Sequence, residues 1–174
     1  MKTSPKRMTT LAVLALGLTG TAMAQVSSNR VATKTDWSVF VEESPKECWS
    51  VSAPKETVNT KDGKAVSVRR GDILLFVTFR PGSPAGEVSF TGGYPFADGS
   101  TVELNIGGTS FDLFTDGEWA WSGADDDARI VAALKAGTIA TVSARSGRGT
   151  NTQDTFSLLG VSAALDEAAK RCAG

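Results

Sequence analysis

The amino-acid sequence predicts a mainly β domain, either an antiparallel β-sandwich or a flattened barrel, with one inserted helix and one C-terminal helix. Two observations support this prediction. Short runs of alternating apolar and polar residues recur along the chain, separated by glycine, proline or Asp-Gly turns, as is typical of strands. Helical periodicity occurs in only two segments, 122–137 and 160–172.

The N-terminal segment 1–24 has the features of a cleaved signal peptide. Three basic residues precede a short apolar run, 11–18, and Ala-Met-Ala at 22–24 is a typical cleavage sequence. The apolar run is too short to span a bilayer, which needs about 20 apolar residues. We therefore expect an exported protein without a transmembrane segment, located in an oxidising compartment.

After cleavage, we expect residues 25–35, which are polar and aperiodic, to form a flexible N-terminal arm. Residues 36–174 are long enough for a single domain with its own core. Three of the 18 basic residues and none of the 19 acidic residues lie in the signal peptide, so the mature chain has a net charge of −4. This balance argues against nucleic acid as a partner, because nucleic acid requires clustered cations.

The first predicted strands are 36–41 and 47–53. In the second of these, Cys48 shares one face with two serines, and the apolar residues lie on the other face. An Asp-Gly pair at 62–63 predicts a tight hairpin turn. Segment 72–80 is apolar on both faces, which is typical of a central strand covered on both sides.

The middle of the chain contains three alternating runs, 101–106, 110–114 and 118–121. Gly-Gly and Asp-Gly pairs separate them, so they predict a three-stranded β-meander. Two further strands, 138–145 and 154–158, are joined by a polar loop.

The two helical segments have recognisable ends and faces. Ser122-x-x-Asp125 predicts a capping-box start for the inserted helix, and Gly137 is its expected end. In the C-terminal segment one helical face is apolar and is expected to dock on the sheet. That face consists of Val161, Leu165, Ala168 and Cys172.

Cys48 and Cys172 are the only cysteines of the chain. An even cysteine count in an exported protein predicts a disulfide. The docking face of the last helix carries Cys172, and the serine-rich strand face of Cys48 suits a position under that helix. Metal binding by two free thiols is the alternative, but the chain has no histidine and no C-x-x-C spacing. We predict a structural disulfide and no metal site.

The absence of histidine excludes Ser-His-Asp triads and Cys-His pairs. We therefore predict a protein that is not an enzyme, with no catalytic residues and no cofactor. The enzymatic alternative is a glycosidase-like enzyme, or a carbohydrate-binding module, that uses Asp112, Asp116 and Glu118 around one hairpin. Solvated turn and strand-edge charges are the simpler interpretation of these three carboxylates.

Three other motifs also have simpler interpretations. The tripeptide Arg70-Gly71-Asp72 is known from integrin-binding adhesins, but here it leads into the central strand. The acidic run 125–127 suits the positive end of a helix dipole better than a calcium loop. The loop 146–150 is flexible enough to cradle an anion with its N–H groups, but it lacks the phosphate-loop pattern, so an ordinary loop is favoured.

The aromatic residues of the meander are the candidate surface site. Trp119 and Trp121 share one strand face, whereas Phe114 lies on the face opposite to Phe111 and Leu113. Both faces of this hairpin cannot be buried unless something covers each of them. We therefore predict that Phe114, Trp119 and Trp121 are candidate binding residues for a partner or a sugar ring.

Six segments of the chain carry a family resemblance. They are DWSV from Asp36, CWSV from Cys48, RRGDILLFVTFRP from Arg69, VSFTGGYPF from Val88, LFTDGEWAW from Leu113 and DTFSLLGVSAALDEAAKRC from Asp154. Together they resemble the invasion-associated locus B family of exported bacterial proteins, over essentially the whole mature chain.

The resemblance implies one all-β domain of the bacterial envelope, periplasmic or associated with the outer membrane, with no cofactor and no known enzyme activity. The resemblance also implies that many members carry more cysteines, including one near the end of the first Trp-x-Val strand. Here that stretch is WSVFVEES, so only the Cys48–Cys172 pairing is expected. The family name points to host-cell invasion, and envelope maintenance is the alternative role. We predict a non-catalytic envelope protein that binds a protein partner or a ligand.

Overall fold

The structure of the protein, a computed structural model, describes residues 29–173. The predicted signal peptide, 1–24, lies outside the described residues. Twelve strands and two helices follow one another in the described part of the chain. The strands are β1 (Arg30–Lys34), β2 (Trp37–Glu43), β3 (Lys46–Ser52), β4 (Glu56–Lys61), β5 (Lys64–Ala65), β6 (Leu74–Arg80), β7 (Ser83–Thr91), β8 (Thr101–Ile106), β9 (Thr109–Asp116), β10 (Trp119–Trp121), β11 (Ile139–Arg145) and β12 (Asn151–Ser157). The helices are α1 (Ala124–Ala136) and α2 (Val161–Cys172).

All twelve of these strands form one antiparallel sheet in the order β1-β2-β3-β6-β7-β10-β9-β8-β11-β12-β4-β5. The sheet curls so that its two halves pack their inner faces together, and Phe90 of β7 meets Phe156 of β12 with 6.2 Å between ring centroids. The sheet is not closed, since β1 and β5 remain at its ends. The predicted fold class, a mainly β antiparallel fold with an inserted and a C-terminal helix, is confirmed.

Several local predictions agree with the structure. The strands β8, β9 and β10 form the expected meander. Asp62 and Gly63 join β4 to β5, and both have positive φ, 51° and 74°, as the predicted tight turn requires. The strand β6 lies inside the sheet between β3 and β7. Its inner residues are buried and its outer residues are half-buried, because neighbouring side chains cover the outer face.

Part of the segment expected to form a flexible arm is a strand. Residues 30–34 form β1, which pairs with β2 at one end of the sheet. An edge strand has one side open to solvent and tolerates polar and basic residues, which protect the edge from further pairing. The polar composition of this segment is therefore compatible with a strand at that position.

The predicted capping box of α1 is wrong. The helix begins after Gly123, and no side chain caps it. The Ser122 hydroxyl instead donates to the Val88 carbonyl oxygen at 3.1 Å and contacts the Asp127 carboxylate. That buried carboxylate also accepts the Val88 backbone N–H at 3.0 Å. The serine and the aspartate therefore fasten α1 to β7 and are not available to cap its first turn.

The helix α2 docks on the sheet through the predicted face, whose residues are all buried. The disulfide between Cys172 and Cys48 of β3 is present, with 5.8 Å between the two Cα atoms. The inward face of β3 next to Cys48 also carries the buried Ser50 and Ser52. The bond therefore joins the end of the chain to an early strand, over a sequence separation of 124 residues.

We expect the Cys48→Ser/Cys172→Ser double variant to lose about 2–5 kcal/mol of the free energy of unfolding, because a cross-link over so long a loop restricts the unfolded chain. Urea denaturation followed by tryptophan fluorescence measures this loss. Dithiothreitol should lower the stability of the wild type by a similar amount and leave the double variant unchanged. Equal stability of the two proteins under oxidising conditions would contradict this account.

Candidate functional site

The three predicted aromatic residues come together on the outer face of the sheet. The β9–β10 register pairs Trp121 with Phe114, so their outward side chains are adjacent, with 5.9 Å between ring centroids. The ring centroids of Trp119 and Trp121 are 6.1 Å apart. Phe114 is 55% exposed and Trp119 is 40% exposed, whereas the inward apolar residues Phe111, Leu113 and Ala120 are buried.

Three further aromatic rings extend this surface, and none of them is among the candidate binding residues predicted from the sequence. Phe76 of β6 lies beside Trp119, with 5.6 Å between the ring centroids. Phe40 of β2 stacks on Trp49 of β3 at 5.6 Å, with the rings nearly parallel. The outward rings thus span the sheet from β2 to β9. We call this surface the aromatic face, and its rings are Phe40, Trp49, Phe76, Phe114, Trp119 and Trp121.

A signal for Trp49 was present in the sequence. Cys48 must point inward to reach α2, and successive strand residues point to opposite faces, so Trp49 must point outward. The place of Phe76 beside Trp119 depends on the strand order β6-β7-β10, and local periodicity contains no information about that order.

A groove of about 320 Å³ lies within the aromatic face, with Trp49, Phe76, Trp119 and Trp121 among its lining residues. Arg80 bridges two carboxylates of the lining, with its Nε 2.6 Å from Glu47 and its Nη1 3.2 Å from Glu87. The hydrogen bond to Glu47 is the main cause that raises the pKa of Arg80. The groove therefore combines an aromatic surface with a partly exposed ionic cluster.

The structure does not bring the three carboxylates of the glycosidase alternative into one cleft. Asp112 lines a polar groove of about 590 Å³ on the outer face, whereas Glu118 lines a different cleft, and Asp116 lines neither. Asp112 and Asp116 are four residues apart on β9, which separates their Cα atoms by about 13 Å. Paired glycosidase carboxylates lie about 5–10 Å apart.

The tripeptide 70–72 is not presented as an adhesive motif. The Arg70 side chain is only 6% exposed, and its guanidinium donates to both oxygens of the fully buried Asp154, at 2.7 and 2.6 Å. Its Nε also donates to the Gly92 carbonyl oxygen at 2.9 Å. A receptor cannot reach this guanidinium, although Asp72 itself is exposed.

The Arg70–Asp154 pair forms part of a buried polar network. The Arg70 guanidinium lies over the Tyr94 ring at 5.0 Å, and the Tyr94 hydroxyl is 2.5 Å from Thr152 Oγ1. Burial raises the pKa of the Asp154 carboxyl, and the hydrogen bonds from Arg70 oppose this effect. The network connects the segment before β6 with β12 across the two halves of the sheet.

The remaining motifs have structural roles. In the acidic run 125–127, Asp127 is buried against β7 and Asp126 pairs with Arg129 at 2.5 Å. No group of acidic or cysteine side chains within 29–173 is arranged to hold a metal ion. In the loop 146–150, most backbone N–H groups donate to protein acceptors, so they do not form an anion cradle.

The fold and the site define a mainly β domain whose last helix is fastened by a disulfide and whose sheet exposes an aromatic outer face. The family model described as invasion associated locus B (IalB) protein matches residues 37–169, and the chain belongs to this family. No curated protein matches the sequence.

The chain is also similar to a solved structure, the crystal structure of invasion associated protein B from Bartonella henselae. The TM-score is 0.50 and the sequence identity is 17%, and the match covers 79% of this chain and 94% of that chain. At this identity the similarity supports the fold alone.

The buried ion pair generates a stability prediction. Arg70→Met and Asp154→Leu should each lower the free energy of unfolding by about 3–5 kcal/mol, because each leaves one buried charge unpaired. The double variant should lose less free energy of unfolding than the two single variants together, since it leaves no buried charge unpaired. Urea denaturation of the four proteins measures the coupling.

The exposed pair Lys135–Asp166, with 2.6 Å between its charged atoms, is a matched control. Lys135→Met should cost less than about 1 kcal/mol, as is usual for surface ion pairs. Losses of the same small size at Arg70 and Asp154 would show that the buried pair has no special structural role.

Proposed function

We propose that the protein is a non-catalytic, exported envelope protein that binds a protein partner through the aromatic face. The observation that supports this proposal is the row of six outward rings across six adjacent strands, with Phe114 and Trp119 substantially exposed. Large exposed apolar patches are rare on monomeric proteins and are typical of interaction sites. Tryptophan and arginine are also enriched among the residues that dominate interface energies.

The charges around the aromatic face define the chemistry of the partner. Glu47 and Glu87 flank the groove, and Asp112 and Asp116 lie on the same face of β9 as Phe114. Arg80 is already paired with two of these carboxylates. A complementary partner therefore presents apolar side chains together with lysine or arginine.

The proposed location is the periplasm or the periplasmic side of the outer membrane. The predicted signal peptide supports export, and a disulfide is typical of proteins in oxidising compartments. Neither helix within residues 29–173 is long and apolar enough to cross a membrane. We accordingly propose that the partner is another envelope protein. The proposed role of the complex is envelope maintenance or, as the family name suggests, host-cell invasion.

A carbohydrate ligand is the second candidate, and the groove is the observation that favours it. Trp49 and Trp119 offer ring surfaces for a sugar, and the Arg80 cluster offers donors and acceptors for hydroxyl groups. Because the three candidate carboxylates do not line one cleft, we propose this alternative as a binding module.

A photo-reactive phenylalanine analogue in place of Phe114 should cross-link the mature protein to its partner in an envelope extract. The captured protein is then identified, purified and titrated against the wild type and Trp119→Ala by calorimetry. Removal of an interface tryptophan of this kind should raise the Kd by about 30-fold or more. Ile139→Ala and Leu159→Ala are matched controls, because these apolar residues are 53% and 60% exposed outside the aromatic face.

An unchanged Kd for Trp119→Ala, or an equal loss in the two controls, would rule out the aromatic face as the docking surface. A glycan array with the same variants tests the second candidate. Binding of an oligosaccharide that Trp119→Ala abolishes would replace the protein partner with a carbohydrate ligand.

A further inference from the structure

A second cleft lies outside the aromatic face and contains none of its rings. It is formed by the segment 68–70, the turn 93–95 and the loop 146–150, and its volume is about 550 Å³. This size lies in the range of small-molecule sites, which is about 300–1,000 Å³. We call it the basic cleft, because arginines dominate its charged lining.

The charges of the basic cleft are not balanced. Arg69 and Arg148 are exposed, and neither guanidinium has an ion-pair partner among residues 29–173. Glu118 is the acidic residue of the lining, and Arg70 is neutralised by Asp154. The cleft therefore has a net positive charge, in contrast to the acidic surroundings of the aromatic face.

Lys61 adds a further cation near one end of the basic cleft. Its ammonium group donates to the backbone carbonyl oxygen of Arg148 at 3.0 Å. A backbone carbonyl does not neutralise the ammonium charge, so the potential near Arg148 is more positive than the lining residues alone would make it.

The loop that carries Arg148 is held in a defined conformation. The Ser146 N–H donates to the Thr150 carbonyl oxygen at 2.9 Å, and the Thr150 N–H donates to the Ser146 hydroxyl at 3.1 Å. The Gly147 N–H donates to the Pro95 carbonyl oxygen at 3.0 Å, which ties the loop to the neighbouring turn. Arg148 therefore projects from a loop that does not have to become ordered when a ligand binds.

The wall of the basic cleft opposite the Arg148 loop carries Arg69, and two glycines fix its backbone. Gly93 has φ of +71°, and a Cβ atom there would lie 2.6 Å from the Gly71 carbonyl carbon. The Gly71 N–H donates to the Gly93 carbonyl oxygen at 2.9 Å. This close contact, together with the buried Arg70 next in the chain, holds the backbone that carries Arg69. Both arginines of the rim are thus attached to fixed walls.

We propose that the basic cleft binds a small ligand with a carboxylate or phosphate group, held by the guanidinium groups of Arg69 and Arg148. The planar fork of arginine donates paired hydrogen bonds to such oxyanions. The Arg70 guanidinium is already hydrogen-bonded to Asp154, and the Tyr94 hydroxyl to Thr152. These residues form the lining of the cleft beneath Arg69 and Arg148. This site is independent of the protein-binding role of the aromatic face.

The test uses the mature protein with citrate, pyrophosphate and glycerol in isothermal calorimetry and in amide NMR spectra. Citrate or pyrophosphate should bind saturably, with shifts at Gly93 and Gly147, and glycerol should not bind. The side-chain N–H signals of Trp49, Trp119 and Trp121 report on the aromatic face and should not move. Binding of citrate alone indicates a carboxylate ligand, and binding of pyrophosphate alone indicates a phosphate ligand.

Arg69→Gln and Arg148→Gln should each weaken binding by about tenfold or more, since each removes a charged hydrogen-bond donor. Arg129→Gln is the matched control, because its side chain is 67% exposed on α1, outside the cleft, and it should bind as the wild type does. The proposal is wrong if neither anion binds saturably at millimolar concentration. It is equally wrong if binding survives both substitutions, or if the shifts appear at the tryptophan signals and not at Gly93 and Gly147.

Discussion

The bond between Cys48 and Cys172 requires the Cys48 face of β3 to point inward toward α2, and the neighbouring strand shares that inner face. The pairing of β3 with β6 sets Cys48 opposite Phe79, so the inner face continues from one strand to the next. A slip of one residue would exchange the two faces and expose the core. With Cys48 directed toward α2, the neighbouring Trp49 has to face outward. The aromatic face is therefore a consequence of how the inner face is packed.

The two halves of the curled sheet pack together through the apolar core between their inner faces, and two polar contacts also join them. The Trp37 indole N–H donates to the Ser157 carbonyl oxygen at 3.0 Å, although its ring is fully buried. The pair of Arg70 with Asp154 makes a second connection. A buried ion pair contributes little net stability compared with an apolar pair, but an unpaired member is costly. We interpret this pair as a constraint on how the halves meet.

The elements that the sequence predicts best are those defined by local pattern. The Asp62-Gly63 turn, the meander and the face of α2 need only neighbouring residues to be recognised. The role of Ser122 depends on β7, which is distant in sequence. Residues 30–34 pair with the neighbouring β2, but their polar composition has no alternating pattern. Periodicity in a single segment misses both features, because the first is set by the strand order and the second by an edge position that tolerates polar residues.

The same reason explains why the candidate site was found only in part. Phe114 and Trp121 belong to one hairpin, so the sequence alone places them side by side. Phe76 reaches Trp119 because β7 lies between β6 and β10 and brings distant segments together. The sequence alone therefore indicates the exposed end of the aromatic face, and the strand order determines how far this face extends.

The two proposed binding regions are close in the structure but opposite in charge. Trp119 pairs with Thr91 in the β7–β10 ladder, and Gly93 of the basic cleft follows two residues later. Glu118 lines the cleft, and the next residue begins β10. Because the aromatic face has an acidic rim, it repels the oxyanions that the cleft attracts. The two proposed regions can thus bind different partners without competition: a basic protein surface at the aromatic face and an anion in the basic cleft.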